Sequence, residues 1–245
     1  MKNLILLSVI LPFAGMAQNF DYLPAPVGNH QILTYSQFTV SYNEEHEQAD
    51  WVAYELTKAE AEMDRDRCDC FARDTNVSTG SAVDGDYSST GFDRGHLSPA
   101  ADNNASAQAN EESFLFSNMS PQLPYFNREV WVKLESWVRQ KAIDLGTVYV
   151  TTGPIFVNNL GKIGNNEVTI PGYYYKVLLT FRDNGNPSLI GFLLPHVLPA
   201  SADFRDFVVP VNTIETLTGL DFFPALDNNV EGRNEATVSN NFWGL

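Results

Sequence analysis

Three runs in the second half of the chain, TVYVTTGPIFV (147–157), YYYKVLLTF (173–181) and SLIGFLLP (188–195), set the strongest limit on its fold. Each is dense in β-branched and aromatic residues and reads as a core strand, and the turn-prone segment Arg182 to Pro187 ties the last two together. FTVSY (38–42) and WVAYEL (51–56) have the same character, and the polar stretch NEEHEQAD between them predicts an antiparallel pair. One helix stands out against these strands. REVWVKLESWVRQKAIDLG (128–146) spaces Val130, Trp131, Leu134, Trp137, Val138 and Leu145 close to the helical period, with Gly146 as its stop. FRDFVVPVNTIETLTGLDFF (204–223) predicts a strand and then a short helix from near Asn212, with Glu215 placed for a capping box. The sum is an α/β chain of the α+β kind, mixed, with a largely antiparallel central sheet. The polar stretch from Thr57 to Asn110 is too long for an idle loop in a compact domain, so it either carries function or is not one loop.

The first seventeen residues, MKNLILLSVILPFAGMA, have a basic start, a short apolar run and small residues at Gly15 and Ala17, the layout of a secretory signal peptide. Residues 18–245 then form a single domain, expected to be secreted or periplasmic, with no membrane partner. Only Cys68 and Cys70 are available for redox chemistry. Their spacing makes neither a zinc site nor a disulfide framework, and a paired, a free and an intermolecular state all stay open. The formal net charge of −15 argues, taken alone, against a nucleic-acid partner. Arg65 to Lys141, however, holds eight basic and eleven acidic residues, so most of the negative charge lies elsewhere.

Within that less acidic segment, TGFDRGHLSP (90–99) sets Asp93, Arg94 and His96 around Gly95. An imidazole in a polar, glycine-flanked segment can titrate near neutrality, which makes His96 a candidate general base. A structural histidine beside an Arg–Asp turn is the plainer reading of the tetrapeptide alone. His196, at a strand end, reads as a satisfied or surface imidazole. Asn127, Trp131 and Glu135 are spaced i, i+4, i+8 and share one side of the helix. An amide oxygen and a carboxylate there can hold a hard cation such as Mg2+, which takes few protein ligands and keeps several waters. A plain N-cap is the alternative for Asn127.

DRGH, then SNMSPQ (117–122), then the asparagine that opens NREVWVKLE resemble the DNA/RNA non-specific endonuclease family of the ββα-metal superfamily. RCDCFARD (67–74), TGPIF, IPGYYYKVLL and LTGLDFFPAL extend the resemblance over about residues 30 to 227. It implies a ββα-metal catalytic motif, His96 as general base and Asn127 as ligand of Mg2+, with Mn2+ also compatible. It further implies that Glu135 acts through the ion's water shell, that Arg67 and Arg94 bind phosphate, and that Asn118 supports the site. The implied activity is phosphodiester hydrolysis of DNA and RNA through the backbone, with little sequence specificity and 5′-phosphate products. Two other readings compete with it. One is a catalytically silent secreted binding protein of the same fold; the other is a phosphodiesterase of small nucleotides.

Overall fold

The computed structural model describes residues 20–199 and 201–245; the expected signal peptide lies outside them. The chain enters through β1 (Gln31–Thr34), β2 (Thr39–Asn43) and β3 (Gln48–Thr57), an antiparallel meander. The long polar stretch that follows is not one loop. It carries α1 (Lys58–Ala61), α2 (Asp84–Tyr87), β4 (Asp93–His96) and α3 (Ala107–Glu112), then leads into β5 (Met119–Gln122). Next come α4 (Val132–Leu145) and β6 (Thr147–Ile155), then the short pair β7 (Lys162–Ile163) and β8 (Val168–Thr169). The chain continues through β9 (Tyr173–Phe181), β10 (Pro187–Pro195), β11 (Val208–Val209) and the helices α5 (Val211–Thr218), α6 (Asn228–Glu235) and α7 (Asn240–Trp243).

The main sheet runs β1-β2-β3-β6-β9-β10-β11, with every adjacent pair antiparallel. Alternation along its strands splits the apolar residues into two cores. Val52, Tyr54, Leu56, Tyr174 and Leu178 meet the α4 residues Leu134 and Val138 on one face. Ala53, Tyr175, Val177 and Leu179 meet Val211 and Ile214 of α5 on the other. Lys176 belongs by parity to the α4 side, so a strand otherwise built for the core delivers an ammonium beneath that helix. Its Nζ lies 4.8 Å from the Trp131 ring.

The strand expectations hold, as does the α4 stop. Gly146 has φ 91° and donates its N–H to the Ala142 carbonyl at 2.9 Å. The capping box at Glu215 does not form. Pro210 fills the N-cap and its side chain cannot accept, the helix starts at Val211, and the Glu215 carboxylate accepts from the Phe222 N–H at 3.0 Å instead. Cys68 and Cys70 are joined as a disulfide.

Candidate active site

β4 and β5 pair as a two-stranded ribbon, with Asp93 opposite Gln122, Gly95 opposite Ser120 and His96 opposite Met119. The chain then turns straight into the helix, giving the order strand, strand, helix. Gly95 is required by packing, because a Cβ there would lie 2.2 Å from the Gln122 Oε1. Alternation sends Arg94 and His96 to the same side of the ribbon. There Phe71 and Phe114 meet edge-on, ring centroids 5.0 Å apart. The Arg94 guanidinium lies 4.4 Å above the Phe71 ring and that of Arg67 lies 4.7 Å above Phe114. His96 stands edge-on to Phe114 at 4.8 Å. Two aromatic rings thus hold two cations and an imidazole in one neighbourhood.

His96 is 8% exposed, and its Nε2 is buried without a hydrogen-bond partner. Burial, and secondly the positive charge of Arg67, lowers its pKa to about 3. It is therefore neutral with an open lone pair, the state a proton acceptor needs. Arg67 donates to Asp69 at 2.5 Å and Arg94 pairs with Asp84, but all four side chains are substantially exposed. Such pairs are weak, and a phosphate can displace the carboxylates.

The helix begins with an irregular turn, and that irregularity places Asn127. Residues Phe126–Trp131 are π-helical, so the Val132 N–H reaches back five residues to the Asn127 carbonyl. In a regular α-helix, side chains at i and i+4 drift apart by about 40° around the axis. The wider π turn takes up that drift and brings 127, 131 and 135 closer to one line. Asn127 is not an N-cap. Its Nδ2 donates to Asp93 Oδ2 at 3.0 Å, and Arg128 forks onto the same carboxylate at 2.6 and 2.8 Å. Burial would raise the Asp93 carboxyl, but the Arg128 and Asn127 hydrogen bonds outweigh it and hold it below the ordinary aspartate range. An ionised Asp93 can only accept, which fixes Nδ2 toward it and leaves Oδ1 free of protein partners among the described residues.

Arg67, Arg94 and Asn127 line one cleft of about 400 Å³, together with Phe71, Asp93 and Arg128. A neutral amide oxygen held at such a cleft fits a hydrated divalent cation that takes few protein ligands. His96 and Glu135 do not line the cleft itself. Glu135 is buried on the inner side of α4, among Lys176, Asp102 and Arg139. Burial pushes its carboxyl up and the Lys176 ammonium down, while their mutual attraction opposes both shifts. Arg139 donates to Asp102 at 2.7 Å, and the Tyr54 hydroxyl donates to the other Asp102 oxygen at 2.8 Å. Asn118 is also away from the cleft. Its Oδ1 accepts from the Ser98 N–H and its Nδ2 donates to the Ser98 and Ser113 carbonyls, which anchors the chain two residues past His96. His196 is satisfied, as expected, accepting from the Leu123 N–H and donating to the Pro171 carbonyl.

The sequence reading passed over Phe71, Phe114, Gln122, Arg128 and Arg139. Gln122 carried a signal in its place opposite the DRGH strand, where its buried amide has no partner on either atom. Nothing in the local sequence singles out the aromatic pair, because the two rings meet from segments 43 positions apart.

The sequence profile of the DNA/RNA non-specific endonuclease family matches residues 17–229. A nuclease of Syncephalastrum racemosum is 34% identical over 227 residues, covering 83% of this chain and 70% of that protein. The mitochondrial endonuclease G of Homo sapiens is 32% identical over 210 residues, covering 80% and 71%. Among solved structures, a chain from the crystal structure of an EndoG/EndoGI complex superimposes with a TM-score of 0.77 at 27% identity, covering 86% of this chain and 91% of that one.

Proposed function

The chain belongs to the DNA/RNA non-specific endonuclease family, and on that footing we propose that it cuts DNA and RNA internally with Mg2+ bound, leaving 5′-phosphate ends. We further propose that it acts after export, as a secreted or periplasmic enzyme. One observation carries the catalytic reading: a neutral, unpartnered imidazole nitrogen shares two aromatic supports with the two guanidiniums that line one cleft with Asn127.

The chemistry follows from what a phosphodiester demands. It is anionic and repels water's oxygen, so hydrolysis needs a base for the water proton and positive charge against the phosphorane. His96 Nε2 takes the proton as the water oxygen attacks phosphorus. Arg67 and Arg94 leave Asp69 and Asp84 to bind the non-bridging oxygens, and both then counter charge that grows toward the transition state. Asn127 Oδ1 would hold the divalent ion, and Glu135, two turns along the helix, would act through its water shell. When bound, that ion supplies Lewis-acid stabilisation of the phosphate and of the departing 3′-oxygen. Contacts of this kind read the backbone, which accounts for acceptance of both nucleic acids and indifference to sequence.

Nicking of supercoiled plasmid and loss of total RNA, with MgCl2 and with EDTA, test the activity. Cleavage that EDTA abolishes is the expected result, and His96→Ala should lower the single-turnover rate by roughly 10² to 10⁴. Nearly undiminished cleavage by that variant would remove His96 from its role. Faster turnover of dinucleotides than of polymer would instead favour a small-nucleotide phosphodiesterase.

A further inference from the structure

On the face of the sheet opposite α4, the segment from α5 to α6 gathers acidic residues that the nuclease chemistry does not use. Glu215 lies on α5, Asp221 follows the turn at Gly219, and Glu231 and Glu235 lie one turn apart on α6. Glu215, Asp221 and Glu235 each bring a carboxylate oxygen to within 4.8 Å of the other two. Like charges so close need a counter-charge, and among the described residues no lysine or arginine pairs with any of the four. Arg233, on the same helix, turns its Nε to the Asn229 carbonyl.

A second, independent observation points to a ligand. Glu235 is 7% exposed, and its Oε1 is buried with no donor beside it, while the carboxyl faces Glu215 within this group. The Oε1 of Glu231 is likewise buried and unpartnered. Held as anions, three carboxylates so close repel one another, and a bound cation would relieve that repulsion. Burial, and then the neighbouring carboxylates, push the Glu231 and Glu235 carboxyls up, which expresses the same conflict.

We propose that Glu215, Asp221 and Glu235 form a second divalent-cation site, selective for Ca2+ over Mg2+, with Glu231 supplying further negative charge. Coordination decides between the two ions. Mg2+ keeps several of its waters and is usually held by one or two carboxylates, whereas Ca2+ takes more protein oxygens in a flexible shell, which three converging carboxylates suit. The site shares no residue with the cleft on the α4 side. Its effect is to pin α6 against α5, so its readout is stability and binding, not cleavage.

Calorimetric titration of CaCl2 into the Asn127→Ala chain, which lacks the amide ligand of the cleft, tests the proposal. One Ca2+ per chain with a Kd between micromolar and sub-millimolar is expected, and MgCl2 should bind at least tenfold more weakly. The double variant Glu215→Gln/Glu235→Gln should lose that binding. In the Asn127→Ala chain it should also lose a Ca2+-dependent rise in Tm of roughly 3–8 °C, measured against EGTA, while the same two substitutions with Asn127 intact should keep Mg2+-dependent plasmid nicking. Absence of Ca2+ binding to the Asn127→Ala chain overturns the proposal, whatever the folding of the double variant. An undiminished Tm shift in the folded double variant does the same.

Discussion

At the scale of single residues, the site is a set of groups whose ordinary partners have been withheld or made weak. The His96 imidazole has lost solvent and gained a neighbouring cation, and both disfavour protonation. Its folded pKa is depressed, so the neutral base persists as the pH falls, and kcat/KM should show no drop centred near 6.5, the ordinary imidazole value. A limb centred there in a kcat/KM profile on plasmid substrate would contradict this environment. The sign for stability follows from the same shift. Above 6.5 both folded and unfolded forms are neutral, and between 6.5 and about 3 the unfolded chain takes up a proton that the folded one refuses. Stability from this residue is therefore full above 6.5 and lost as the pH falls through that window. His96→Gln should reduce the loss by about 1.4 kcal/mol per pH unit, read from urea melts at pH 6 and 5. His96, Asn127 and the two arginines stand out in the sequence as candidates because their chemistry is carried by residue type within short motifs. It could not show that Asp93 fixes the Asn127 amide, since that bond spans 34 positions, nor that two phenylalanines carry the cations.

At the scale of elements, the ββα order depends on glycines and on a helix that begins out of register. Gly146 ends α4 at φ 91°, where a side chain is strained. Gly146→Ala should cost roughly 1 kcal/mol or more and lower Tm by about 2–4 °C, with cleavage unchanged at 25 °C, since nothing in the cleft touches it. A scanning melt and a nicking assay on the same sample check both halves. The period of apolar residues revealed α4 as a helix, but the π turn ahead of it is invisible to periodicity. Its outcome is a placement of Asn127 that apolar spacing does not encode. The failed capping box at Glu215 has the same lesson at the other end of the chain. Spacing there fits a cap, yet Pro210 holds the N-cap position and offers no acceptor, and the carboxylate serves the turn at Phe222.

At the scale of the whole molecule, the net charge of −15 is at odds with an anionic substrate, and the fold separates the two. The cleft gathers Arg67, Arg94 and Arg128, whereas four of the acids lie together on the far side of the sheet. Few phosphates are neutralised by so small a basic set. The logarithm of the affinity for double-stranded DNA should therefore fall with the logarithm of salt concentration with a slope of only about −2 to −3, at roughly 0.9 per phosphate contact. A slope of about −6 in a fluorescence-anisotropy series would mean a wider basic surface than this cleft offers. No helix among the described residues is long and apolar enough to cross a membrane. The expected export is checked by N-terminal sequencing of the secreted protein, which should begin near Gln18. In the proposed mechanism His96 and Asn127 act on one scissile bond. The most direct test is a double-mutant cycle on single-turnover plasmid cleavage, comparing the wild-type chain with His96→Ala, Asn127→Ala and the double variant. Groups that act as a unit are strongly non-additive, so the double variant should be scarcely slower than the worse single one. Losses that simply multiply would show that the two residues work independently.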